Sequence, residues 1–117
     1  MCGRFAFFAN GQFGYESLQL PEPPPFERYN IAPSQEILAI RTDLETGRPE
    51  WALLRWGLVP FWFKEPGGKR PLINARAEGI EAKPSFRGPV RHRRCIVPAS
   101  GFYEWGRQGT GKQPYCV

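Results

Sequence analysis

Thirteen glycines and thirteen prolines are spread through a chain of 117 residues. Proline removes a backbone donor and fixes φ, while glycine loosens the backbone, so long helices and long central strands are both interrupted. Many short elements joined by turns are therefore expected. Nine Phe, four Tyr and four Trp supply the apolar bulk. A chain of this length fits one domain, residues 1–117, with a modest core.

Along the chain, residues 2–9 (CGRFAFFA) read as an aromatic strand, followed by a turn at Asn10 and Gly11 and a weak helical pattern over 16–20. The PEPPP run at 21–25 ends any helix and makes an exposed linker. RYNIAPSQ (28–35) reads as a loop, extended at Ala32 by the proline that follows. Residues 36–41 (EILAIR) and 51–56 (WALLRW) flank a stretch with Gly47 and acidic turn formers, the pattern of a β-hairpin with a long loop. WGLVPFWF (56–63) is too aromatic for a plain loop and too proline-interrupted for a central strand. The basic KEPGGKR segment leads into PLINARAE, and 79–83 suggest a short helix. RRCIVPASGFYEW reads as a strand, a turn at 98–101 and a second strand. GRQGTGK reads as a flexible hairpin loop, and QPYCV as one more strand that the chain leaves in mid-course.

No apolar run approaches the ~20 residues of a membrane span, and the N-terminus lacks a secretory pattern. A soluble, cytoplasmic protein without membrane contact is expected. Cysteines at 2, 95 and 116 form no dense framework, so reduced thiols are expected rather than disulfides. The net charge of +5 is uneven. Residues 1–63 carry five basic and seven acidic side chains, whereas 64–94 carry nine basic and three acidic. Such a basic block suits a polyanion, nucleic acid foremost; the alternative is a solvated Lys/Arg-rich loop.

Five blocks carry a resemblance. MCGRF at the N-terminus, RYNIAPSQ at 28–35, WGLVPFWF at 56–63, INARAE at 73–78 and RRCIVPASGFYEW at 93–105 occur in this order. Together they resemble the SRAP family, the SOS-response-associated peptidases, also called abasic-site processing proteins. The resemblance implies an α+β, β-dominated fold of barrel-like mixed sheets with short helices. The family's domain is longer, so the chain resembles its N-terminal portion, with the C-terminal part lacking. The family's later catalytic histidine has no counterpart. His92 stands elsewhere and reads as a surface histidine in a basic loop.

The chemistry centres on Cys2. Removal of Met1 would leave a cysteine whose α-amine and thiol are neighbours. An α-amine has a reference pKa of about 7.7–8.0, so a useful fraction is neutral at pH 7, unlike lysine near 10.4. A neutral amine condenses with an aldehyde to an imine, and the thiol then closes onto the imine carbon as a thiazolidine. The ring-opened abasic site in DNA supplies such an aldehyde. The resemblance implies this reaction and assigns Asn74 and Glu104 to the same site. Glu104 would shuttle protons from a partly buried position among aromatics; a solvent-facing strand glutamate is the alternative. Asn74 would donate to sugar or phosphate oxygen and accept from the Cys2 amine, or else be an ordinary turn residue.

Arg4 and Arg76 resemble the family's phosphate-gripping arginines, whose guanidinium forks hold backbone without reading sequence. Trp62 and Phe63 fall where the family stacks aromatics on bases, worth about 1–3 kcal/mol per base; core packing is the alternative, and the natural one for Trp56. Arg87, with Arg91, Arg93 and Arg94, would extend the phosphate track. Asn30 reads as a structural or site-lining residue, and Cys95 as a buried strand residue. A zinc site from His92, Cys95, Cys2 and Cys116 lacks the second closely spaced pair that structural sites have, so no metal and no cofactor is expected.

The function implied is an abasic-site sensor that binds single-stranded DNA and cross-links to it through Cys2 in the DNA damage (SOS) response. A thiol autopeptidase and a non-catalytic single-stranded nucleic-acid-binding fragment are the alternatives. The expected partners are DNA with abasic sites and, to complete the fold, the missing C-terminal half or a second copy.

Overall fold

The computed structural model describes residues 2–8, 14–63 and 70–117. The expected turn at Asn10 and Gly11 and most of the KEPGGKR segment lie outside the described residues.

The longest regular pairing comes from the short apolar runs either side of Gly47. Strands β3 (Glu36–Thr42) and β4 (Pro49–Arg55) form the expected hairpin, in unbroken antiparallel register from Glu36↔Arg55 to Thr42↔Pro49. Ile37, Leu38, Ala39 and Ile40 are all buried, so both faces of β3 are covered. Turn chemistry closes the loop: Asp43 Oδ1 accepts from the Glu45 amide at 3.1 Å and Oδ2 from Thr46 Oγ1 at 2.7 Å. The Thr46 hydroxyl, and then the Glu45 amide, hold the Asp43 carboxyl below the usual carboxylate range. Gly47 takes φ +69°, a conformation that costs other residues a steric penalty. Strand β5 (Cys95–Ile96) adds to β3 through Ile40↔Ile96 and Arg41↔Cys95, giving the order β4-β3-β5. This short edge leaves Cys95 exposed, where a buried position was expected.

The second sheet has the order β2-β1-β6-β7. Strand β1 (Phe5–Phe8) is central, paired with β2 (Glu27–Ile31) on one side and β6 (Gly101–Gln108) on the other. Residues 27–31 are thus a strand where a loop was expected. Polar neighbours mask Ile31 locally, yet it is fully buried, and its pairing with Phe5 satisfies the backbone of β1. Strand β7 (Gly111–Cys116) pairs with β6 up to Gln108↔Gly111, so the turn is only Gly109 and Thr110, with Gly109 at φ +62°. The expected flexible loop over 106–112 is therefore mostly ladder. Gly106 serves close packing, since a Cβ there would lie 2.8 Å from the Tyr115 ring.

Residues 84–92 correct the reading of a basic loop. Helix α1 (Pro84–His92) starts on a proline, which the first helical turn tolerates, and closes with the Arg93 amide donating to the Pro89 carbonyl at 2.8 Å. Arg91 and His92 lie in its last turn, where cations suit the helix dipole. His92 is exposed as expected, on a helix end instead of a loop. The helix expected over 79–83 is a single 3-10 turn, Ile80–Ala82. The one expected over 16–20 is likewise a 3-10 turn, Tyr15–Leu18.

Phe5, Phe7, Ile31, Ile37 and Leu38 form the core that joins the two sheets, with Cys2, Trp51, Leu54 and Trp56 packed against it. The chain is strand-dominated, with a curled half-barrel sheet and a few short helices, as expected. The described strand pairs are all antiparallel. Among the described residues no helix is long and apolar enough to cross a membrane.

Candidate functional site

Cys2 precedes β1 and is half-buried against the core. Its thiol lies 3.5 Å from the Arg4 carbonyl oxygen, a local contact that leaves the sulfur at the edge of a cavity of about 360 Å³. Phe5, Trp56, Val97 and Phe102 give that cavity apolar walls, and Asn74 joins Cys2 as a polar group on its lining.

A chain of local constraints brings Asn74 there from far along the sequence. Gly57, at φ +130°, lets the chain pass against Pro71, whose Cβ would lie 2.6 Å from any Cβ at position 57. Leu58 and Leu72 then exchange backbone hydrogen bonds, both 2.9 Å. The Trp56 indole N–H donates to the Ile73 carbonyl at 3.0 Å, while its ring meets Phe5 edge-on at 5.4 Å between centroids. The WGLVP run thus clamps the PLIN run, and Asn74 Nδ2 donates to the Cys2 carbonyl oxygen at 2.8 Å. Trp56 packs against the core, as expected of it.

Glu104 is not among the residues lining that cavity, and strand register sets it nearby. Phe5 pairs with Phe102, and the Tyr103 amide donates to the Arg4 carbonyl at 3.0 Å. Continuing that antiparallel ladder sets Glu104 level with Gly3, beside Cys2. Alternation along β6 puts Glu104 on the face of Phe102, which lines the cavity. Glu104 is half-buried, and a Cβ at Gly3 would touch nothing within 4 Å, so the chain next to Cys2 is unobstructed.

The arginines are spread more widely. Arg4 does not line the cavity; its Nη1 donates to Asn30 Oδ1 on β2 at 2.9 Å. Arg76 lies on the exposed stretch just past Asn74, and Arg87 on the exposed surface of α1. Arg91, Arg93 and Arg94 join Arg41 around a separate cavity of about 670 Å³, between the β3–β4 hairpin and the end of α1. In the aromatic run, Pro60 is buried and the following residues turn outward. Trp62 is exposed, Phe63 is half-buried, and Phe61 is the most open of the three at 89%. Phe61 and Trp62 meet edge to face at 5.0 Å. Sequence reasoning passed over Phe61, although the same buried proline is the signal for it. Among the described residues, no group of three or more His, Cys, Asp or Glu gathers as a metal site.

The pattern of the SOS response associated peptidase (SRAP) family matches residues 1–117. The abasic site processing protein YoqW of Bacillus subtilis is 46% identical over 112 residues, covering 92% of this chain and 49% of that protein. The abasic site processing protein YedK of Escherichia coli is 34% identical, covering 100% of this chain and 53% of its own length. Among solved structures, a phage-related protein from Bordetella bronchiseptica superposes with a TM-score of 0.77 at 31% identity, covering 98% of this chain and 54% of that one. The chain spans about half the length of the curated relatives it matches. With the family pattern running over residues 1–117 and the fold shared with that structure, the chain belongs to the SRAP family.

Proposed function

We propose that this chain captures abasic sites in single-stranded DNA by forming a thiazolidine with Cys2 once Met1 has been removed. Abasic-site processing is the activity named for its relatives. The observation that carries the finer reading is the hydrogen bond from Asn74 to the main chain of Cys2, at the mouth of an apolar cavity. That bond fixes the residue whose amine and thiol must both meet one carbon.

The reaction balances without a cofactor. The neutral α-amine of Cys2 attacks the aldehyde carbon of the ring-opened sugar, giving a carbinolamine. Loss of water, with a proton delivered to the departing hydroxyl, gives the imine. The thiol sulfur then bonds to the imine carbon, and its proton passes to nitrogen. Glu104, on the cavity face of β6, is assigned the proton transfers, a role typically worth 10²–10⁴-fold. Asn74 orients the Cys2 main chain. Arg4, Arg76 and Arg87 are assigned to phosphates, and Trp62 with Phe63 to stacking on neighbouring bases. The exposed Phe61 joins them as a further stacking surface. The setting proposed is the response to DNA damage in the cytoplasm, on DNA made single-stranded.

A thiol peptidase reading has less support, because His92, the one histidine of the sequence, sits on the end of α1 away from the cavity lining. The discriminating experiment uses Cys2→Ser, which keeps the amine but loses the thiol. The wild-type chain is expected to give a denaturation-resistant adduct with abasic single-stranded DNA. Cys2→Ser is expected to give one only when borohydride reduces the imine. Equal adducts without reductant would contradict thiazolidine closure, and release of a peptide without DNA capture would favour the peptidase.

A further inference from the structure

Arg4 and Tyr103 stand level with each other in the continued β1–β6 ladder, and both reach across towards β2. The Tyr103 hydroxyl donates to the Tyr29 carbonyl oxygen at 2.6 Å, so this side chain crosses the central strand and ties β6 to β2. Beside it, Arg4 Nη1 donates to Asn30 Oδ1 at 2.9 Å. Arg4 and Asn30 are diagonal neighbours in the β1–β2 register, near the pair Phe5↔Ile31. Asn30 is exposed and holds no other described partner, so the core does not need this contact.

A guanidinium is a planar fork of five N–H groups, and a phosphate takes two of them side by side. With Nη1 anchored on a neutral amide, the edge formed by Nε and Nη2 carries no hydrogen bond among the described residues and its plane is set. An amide oxygen does this without cancelling the charge, which a carboxylate at the same place would do. We infer that Asn30 is a positioning residue: it orients the Arg4 guanidinium so that its open edge meets a DNA phosphate beside the residue that Cys2 captures. This rests on the proposed DNA capture but concerns only the binding step, so the two can fail separately.

The test uses the full chain and single-stranded DNA carrying a tetrahydrofuran abasic analogue, which has no aldehyde and reports binding alone. Affinity is measured across a salt series for the wild type, Asn30→Ala, Asn30→Asp, Arg4→Ala and the Arg4→Ala/Asn30→Ala double variant, each first checked for a native melt. Asn30→Ala is expected to weaken binding about three- to tenfold, the scale of one net hydrogen bond, with the salt slope retained. Asn30→Asp pairs with Arg4 and neutralises it, so the slope should fall by about 0.7, as in Arg4→Ala, the value for one phosphate contact on a single strand. The double variant should bind no worse than Arg4→Ala alone. Additive losses in the double variant, or an unchanged slope in Asn30→Asp, would overturn the inference, as would a wild type with no salt-dependent binding. Binding that follows the expected pattern, with no adduct on true abasic DNA, would sustain this inference and refute the covalent reading.

Discussion

Asn74 is the residue on which the proposed capture site turns, because one amide spans a separation of 72 residues to reach the Cys2 carbonyl. One of its two N–H donors is committed to that carbonyl, and the effect of this bond on chemistry runs through the placement of the N-terminal residue. Asn74→Ala is therefore expected to slow adduct formation about tenfold, on the scale of one lost hydrogen bond, with little change in affinity for the aldehyde-free analogue. Single-turnover kinetics on the two DNAs separate those effects. Glu104→Gln tests a different step: loss of proton transfer should slow the reaction on the order of 10²-fold. Retention of the wild-type rate would remove Glu104 from the mechanism. Cys2, Asn74 and Glu104 could be singled out in the sequence because each sits in a short block that carries the family resemblance, and their roles stay proposals. The Asn30–Arg4 contact could not, since a diagonal neighbour across two strands depends on a register that no local pattern encodes.

Gly57 and Asp43 show how single backbone positions decide whole elements. At Gly57, φ +130° and the Pro71 contact leave no room for a side chain, and the clamp that presents Asn74 depends on both. Gly57→Ala should cost about 1–3 kcal/mol and loosen the 71–74 segment, seen as a lowered thermal midpoint with a parallel loss of adduct rate. Asp43 organises the β3–β4 turn, and its carboxyl is held below the usual range by the Thr46 hydroxyl and the Glu45 amide. A depressed carboxyl stabilises the folded form above its unfolded pKa, and that support is lost as pH falls through the folded value. The protection factor of the Gly47 amide, which donates to the Asp43 carbonyl at 2.8 Å, should therefore fall below about pH 4, and Asp43→Asn should abolish that fall. Strands β1, β3, β4 and β6 were readable from short apolar runs and aromatics. Strand β2 and helix α1 were not: β2 is polar except for Ile31 and exists through its pairing, and α1 carries prolines that argue against any helix until one is seen to occupy the first turn.

At the scale of the whole molecule the described core is small. Among the described residues nine apolar side chains besides proline are buried, while Leu53, Ile96, Trp105, Tyr115 and Val117 are each between 45% and 67% exposed. The Cα radius of gyration is 16.2 Å. A compact domain of this length would have roughly 13.4 Å. This open architecture, matching about half of the longer SRAP relatives, predicts a shallow thermal transition and binding of anilinonaphthalene sulfonate in native buffer. A sharp melt without dye binding would show that the exposed strands are covered in solution.

The most direct test of capture at Cys2 is an intact mass. The chain, freed of Met1, is incubated with a single-stranded oligonucleotide bearing one abasic site, then denatured and weighed beside Cys2→Ala. The account predicts a species at the mass of protein plus DNA less one water, stable without reductant and absent from Cys2→Ala. The same chain remaining wholly unmodified, or an adduct that persists in Cys2→Ala, would contradict it.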